Sequence, residues 1–303
     1  MSATLELACA DAEVALAPGI GGAIAAFRCG GEDVLRPSAA AALAADDVRG
    51  LACYPLVPYS NRIADAILHF AGRRYALAHN FGDHPHAIHG LGWQRPWRVV
   101  SHAAGHALLE LRHAADTAAA RAAWPWPFVA TQFVRLAAHG GGVTLLARLA
   151  LRNTGQAPFP FGLGWHPYFP RAVDTRLGFR ADSVWLNGPT QLPQTCTAVP
   201  PAWRFDPPRT VQVILDQVFN GWSGTATLER PGHLRVTLAA DRSCAHLVVY
   251  APENSGYLAV EPVTHQTDAF NRSAAGAPDT GTRLLAPGRA FSCTMRLFVQ
   301  AGP

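Results

Sequence analysis

Short runs of alternating or continuous apolar residues recur along the chain, each closed by glycine, proline, asparagine or aspartate. Runs of this length with such punctuation read as strands joined by tight turns. Residues 4–7 and 13–16 open the series, Pro18-Gly19 turns the chain, and 24–28 leads to a hairpin turn at Gly30-Gly31. Residues 67–77 give two strands about a turn at Gly72-Arg73. Strands are predicted over 98–101, 107–112, 128–138 and 143–151, with 131–136 patterned as a half-buried strand. Residues 177–186 are extended, and 225–230, 234–239, 246–250 and 257–261 follow as strands, the last closed by Glu261 and Pro262. Leu284-Leu285 and 291–299 finish the chain.

Helical signals are few. An alanine-rich stretch over 38–47, with Ser38 as its cap, is the best candidate in the first half. Residues 114–123 form an insertion or a short helix ended by Pro125 and Pro127. Residues 191–208, rich in proline, read as a long ordered loop, and 54–63 as an irregular proline-bounded one. A polar loop begins at 268–271. The sum, roughly fifteen strands and two or three short helices, predicts an all-β chain folded as a large antiparallel β-sandwich. Neither an internal repeat nor a domain boundary is visible, so residues 1–303 are expected to form a single domain.

Composition narrows the function classes. The chain has 303 residues, 49% of them hydrophobic and 15% charged, which excludes a disordered protein. All 25 basic residues are arginines. Without lysine there is no Schiff-base amine, pyridoxal-phosphate anchor or Walker A lysine. The net charge of +4 is spread along the chain, so nucleic acid is not an expected partner. Six cysteines lie outside any C-x-x-C pair, which suits reduced thiols in a cytoplasmic protein. No signal peptide and no membrane span is expected.

Candidate chemistry lies in four places. His166 is ringed by Trp165, Tyr168 and Phe169 in a stretch whose prolines exclude a helix, and is expected at the end of an extended run. Those residues alone leave two readings open, a core histidine bonded to a backbone carbonyl or a partly desolvated functional imidazole. Asn61-Arg62 could present a guanidinium fork to ligand hydroxyls or be a solvated surface pair. His79, His84, His86 and His89 cluster before Gly90 and Trp93, yet Pro85 interrupts them and no cysteine or glutamate completes a familiar metal spacing. No metal is therefore expected, and a loop carrying one ligand-binding histidine is the better reading. Asp216, flanked by Leu215 and Val218, needs a partner if it is buried.

These stretches together resemble the aldose 1-epimerase (galactose mutarotase) family, in the family's order and over nearly the whole chain. The matching residues are Asn61-Arg62-Ile63 with Phe70, Gly72, Tyr75, Leu77 and Asn80; Ile88-His89-Gly90 with Trp93 and Trp97; Asn153-Thr154-Gly155 with His166-Pro167-Tyr168-Phe169; Asp216 with Phe219; and Glu261-Pro262, Thr264 and Asp268 to Asn271. Leu91 stands where the family often has a second glycine, and Gly164-Trp165 where many members carry small polar residues. The resemblance implies a β-supersandwich with a cleft on one face, no cofactor, and interconversion of the α and β anomers of a free aldose. It implies Glu261 as base and His166 as acid, with Arg62, His89 and Asp216, beside Asn61, binding the sugar. Trp93 or Trp165 is expected to stack on the sugar's apolar face. The partner is a small monosaccharide, and the protein is expected to be a monomer or homodimer. A glycoside hydrolase using Asp216 and Glu261 as its carboxylate pair, or a carbohydrate-binding protein without catalysis, are the alternatives.

Overall fold

A computed structural model describes residues 4–302. Two large antiparallel sheets dominate, one of eleven strands and one of nine. The eleven-stranded sheet runs from Leu5–Cys9 through Ala12–Ala17, Ala23–Cys29, Cys53–Leu56, Gly164–Pro170, Tyr257–Val263, His246–Ala251, Leu215–Asn220 and Ser183–Asn187 to Pro193–Ala198, with Glu32–Asp33 paired off the path. The nine-stranded sheet runs from Arg98–Ala103 to Phe205–Thr210, with the long strands Phe128–His139, Gly142–Asn153 and Ala290–Ala301 side by side.

The inner faces of the sheets share one core. Trp165, Phe169, Leu247, Val249, Leu258 and Val260 belong to it from the first sheet, and Val134, Leu145, Leu149, Met295 and Leu297 from the second. Side chains alternate across a strand, so the neighbours of those first-sheet residues point the other way. Tyr54, Tyr168, Val218, Val248, Ala259 and Val263 form a second cluster with Trp93 on the outer face. The central strands are thus buried on both faces, which is why they read as continuous apolar runs. Gln132 is an exception in its alternating strand, fully buried between Ala130 and Val134.

The β-sandwich predicted from the pattern is present, with several local differences. Twenty-six strands occur among the described residues, because short pairings such as Arg62–Ile63 with Ala87–Ile88 carry too few residues to show a period. The first helix is only Ala40–Ala44, and Ser38 does not cap it; its hydroxyl donates to Ala25 O at 2.5 Å. The second, Ala118–Ala123, falls in the stretch expected to be helix or insertion. Residues 191–208 are not one loop: Pro193–Ala198 and Phe205–Thr210 are terminal strands of the two sheets, and an edge strand tolerates proline because one side lacks a ladder partner. Residues 177–186 split into Arg176–Phe179 and Ser183–Asn187, one in each sheet. The polar stretch after residue 268 coils into the helix Ala269–Ala274. No helix among the described residues is long and apolar enough to cross a membrane.

Candidate active site

Five consecutive strands of the large sheet bring the candidate residues together. His166 lies within Gly164–Pro170, opposite Tyr54 of Cys53–Leu56, rather than at the end of a run. Pro55 sits inside that partner strand, so residues 54–63 are not irregular throughout. On the other side, Tyr168 pairs with Ala259, and the strand Tyr257–Val263 continues past Glu261 through Pro262. Glu261 faces Val248, and Asp216 faces Tyr250 one strand further on. Period-two alternation puts Tyr54, His166, Tyr168, Glu261 and Asp216 on the outer face. They line a cavity of about 410 Å³, within the roughly 300–1,000 Å³ typical of small-molecule sites.

At its floor His166 Nε2 lies 3.2 Å from Glu261 Oε1, with both side chains almost wholly buried. Desolvation holds the His166 imidazolium down to about 3, assisted by the positive charge of Arg36. Desolvation, with the nearby charge of Asp216, pushes the Glu261 carboxyl well above the usual carboxylate range. Both effects favour the uncharged forms.

Loops over the sheet's outer face form the rim. Arg62 Nη2 donates to Asp216 Oδ2 at 3.0 Å and to the side-chain oxygen of Gln191, while Nη1 reaches Asn61 Oδ1 at 3.0 Å. Asp216 therefore has the partner its position demanded, and Asn61 orients Arg62. The Asn61 N–H donates to His89 Nδ1 at 3.0 Å, which leaves the proton on Nε2 of a neutral ring. Burial, with His166 and Arg62 nearby, keeps His89 well below its ordinary range. Asn61 and His89 both adopt positive φ, 56° and 60°, where asparagine and histidine are enriched. Gly90 follows at φ 69°, and a Cβ there would stand 2.3 Å from Val57 O.

The remaining motif residues brace this rim. Asn80 spans the His89 loop, accepting from Ile88 N at 2.8 Å and donating to Ile88 O and Gly90 O at 2.7 and 2.8 Å. Asp268 holds the chain at Arg62, its N–H donating to Arg62 O at 2.9 Å and its Oδ1 accepting from Ala64 N at 3.0 Å. Thr264 Oγ1 accepts from Leu163 N at 2.8 Å, locking the His166 and Glu261 strands together.

Two expectations do not hold. Trp165 points into the inter-sheet core, one residue out of phase with His166. Trp93 is 1% exposed, donates its N–H to Gly90 O at 3.2 Å and packs behind Tyr54 and His89, so neither tryptophan faces the cavity. Tyrosines 54, 168, 250 and 257 and Phe81 supply its aromatic surface instead. The parity of Tyr54 and Tyr168 with their strands was available to find two of these; Gln191, at the tip of a polar turn, carried no signal. In the histidine cluster, His86 accepts from Asp65 N at 2.9 Å and meets Thr190 O at 3.0 Å, so both its nitrogens are engaged in holding loops together. His84 Nδ1 accepts from His86 N at 3.2 Å.

Residues 4–297 match the family model described as aldose 1-epimerase. The uncharacterized protein YphB of Escherichia coli K12 is 30% identical over 291 residues, spanning 92% of this chain and 93% of its own. A solved candidate aldose 1-epimerase from Escherichia coli K12 superposes with a TM-score of 0.87 at 25% identity, over 99% of both chains. A GalM/aldose epimerase homologue from C. elegans superposes with a TM-score of 0.80 at 18% identity over 100% of both, a likeness of fold alone.

Proposed function

The chain belongs to the aldose 1-epimerase family, and on that premise we propose that it interconverts the α and β anomers of a free aldose, with Glu261 as base and His166 as acid. The observation that carries this reading is the 3.2 Å contact between His166 Nε2 and Glu261 Oε1 at the floor of a cavity rimmed by hydrogen-bonding groups.

Ring opening begins with Glu261 ionised and His166 protonated. Glu261 takes the proton of the anomeric hydroxyl, the O1 electron pair forms the C1=O bond, and the C1–O5 bond breaks. The released pair on O5 takes the proton from His166. The aldehyde turns about C1–C2, O5 attacks its other face, and both transfers reverse. One proton shared by the pair suffices for the cycle. Burial disfavours the charged pair, as the opposite shifts of the two groups reflect. That charged pair is consumed when the ring opens, so desolvation makes His166 a stronger acid and Glu261 a stronger base. Arg62, Asp216 and His89 hold sugar hydroxyls, Asn61 aligns Arg62, and the tyrosines meet the sugar's C–H face.

Polarimetry of freshly dissolved α-D-galactose and α-D-glucose tests the reading. The wild type should exceed the solvent rate, and Glu261→Gln should lose about 10²–10⁴-fold. A Glu261→Gln protein with near wild-type kcat would remove Glu261 from the mechanism. Sugar binding at the solvent rate would point to a binding protein, and release of monosaccharide from a disaccharide to a hydrolase. Asp216, with Oδ2 engaged by Arg62, is better suited to binding than to acting as a general acid.

A further inference from the structure

The second nitrogen of His166 raises a question of alignment. Nδ1 is buried and makes no hydrogen bond to another residue. A histidine that moves protons is ordinarily oriented through its second nitrogen. The torsion that turns the ring is broad and roughly two-fold, so it does not set the orientation unaided. Contacts at Nε2 and on the ring faces are left to hold it.

The rings of Tyr54 and Tyr168 flank the imidazole, with centroids 4.7 and 4.5 Å away and planes inclined by 36° and 31°. Their hydroxyls lie 3.2 Å apart, and that of Tyr168 is 3.5 Å from His166 Nε2. Behind them, the Arg36 guanidinium stands 3.9 Å from the Tyr168 ring centroid and 4.5 Å from that of Tyr257. Arg36 is itself anchored: Nη2 donates to Arg49 O and Leu51 O at 2.8 and 2.6 Å, and its backbone N–H to Tyr168 O at 2.8 Å.

We propose that Tyr168, gripped between Arg36 and Tyr54, is a positioning residue that aligns His166 in place of the missing Nδ1 hydrogen bond, while Arg36 sets a positive charge against the imidazolium. The inference rests on His166 being the group that gives and takes the proton. The other groups facing His166 are Glu261 from the adjoining strand, Tyr54 from the strand on its other side, and His89 from the overlying loop, its ring centroid 5.3 Å away. A cation over the Tyr168 face also strengthens that phenol as a donor toward Nε2 once His166 has given up its proton.

Tyr168→Phe removes only the hydroxyl. It should lower kcat about tenfold through misalignment and change KM by less than about twofold. Arg36→Met should move the acid limb of the kcat–pH profile upward by about one unit, because His166 then holds its proton more tightly. Arg36→Lys keeps the charge and should leave the limbs in place. An activity-free measurement accompanies these: ¹⁵N shifts of the His166 ring in sugar-free protein, with melting curves confirming that each variant folds. Tyr168→Phe should move the Nε2 resonance. Unchanged ring resonances in Tyr168→Phe, or an unmoved acid limb in Arg36→Met, would overturn the proposal. Moved resonances in a protein that turns over no aldose would leave the alignment standing and sink the catalytic reading instead.

Discussion

Acidification from pH 7 to pH 4 should strongly destabilise this protein, and three of its buried imidazoles set the scale. His246 Nδ1 contacts Asn220 Oδ1 at 3.0 Å, and His265 Nε2 accepts the Ser60 N–H at 3.1 Å while Nδ1 meets Gln266 O at 2.6 Å. Desolvation holds His246 and His265 at about 4 and His166 at about 3, against an ordinary 6.5. Between 6.5 and about 4 the unfolded chain binds protons that the folded protein does not. Stability is therefore full above 6.5 and falls with pH below it, by up to about 1.4 kcal/mol per pH unit per ring. Each ring costs about 3 kcal/mol by pH 4, and the three together rival the roughly 5–15 kcal/mol of a typical fold. Glu261 opposes them: its folded carboxyl keeps a proton that the unfolded one releases above about 4.5, so acidification toward that value adds stability. Asp268, raised by burial, opposes them too, while His89, held low by burial, adds to the loss, so the balance remains a net loss. Urea unfolding followed by the fluorescence of the eight tryptophans, at intervals between pH 7 and 4.5, measures the slope. Between pH 6 and 5 it should be about 3 kcal/mol per pH unit, falling by about 1.4 in His246→Gln. A flat profile, or an unchanged slope in His246→Gln, would refute the assignment of these rings as neutral and buried.

Three further outcomes are expected. His166→Asn, which cannot titrate, should lose most of kcat and keep measurable sugar binding, whereas His89→Asn should mainly raise KM; the reverse pattern in steady-state kinetics would exchange their roles. Asn80→Ala leaves the Ile88 N–H and C=O without their partner and Gly90 O with the Trp93 N–H alone, so denaturation should show a loss of about 2–3 kcal/mol together with a raised KM. Prolonged treatment with a strong chelator should leave the mutarotation rate unchanged; a loss restored by zinc would mean that His84, His86 and His89 had been misread.

The sequence by itself determined the sheet architecture. A period of two is a local property, and strands such as Phe128–His139 and Gly142–Asn153 are long enough to display it. It also singled out His166, Glu261, Arg62, His89 and Asp216, as ordered motifs rather than as a site. Prolines misled where an edge strand accommodates them, as in Pro193–Ala198 and Phe205–Thr210, because edge position depends on which strands pair and not on the strand's own residues. The tertiary structure alone decided which residues meet. His166 and Glu261 approach because Gly164–Pro170 and Tyr257–Val263 pair in one register; a slip of one residue would turn Trp165 toward the cavity and His166 into the core. It likewise exchanged Trp93 and Trp165 for a wall of tyrosines, brought Gln191 to Arg62 from a distant turn, and set Arg36 behind Tyr168. Such placements follow from pairings between strands far apart in the chain, which no local pattern encodes.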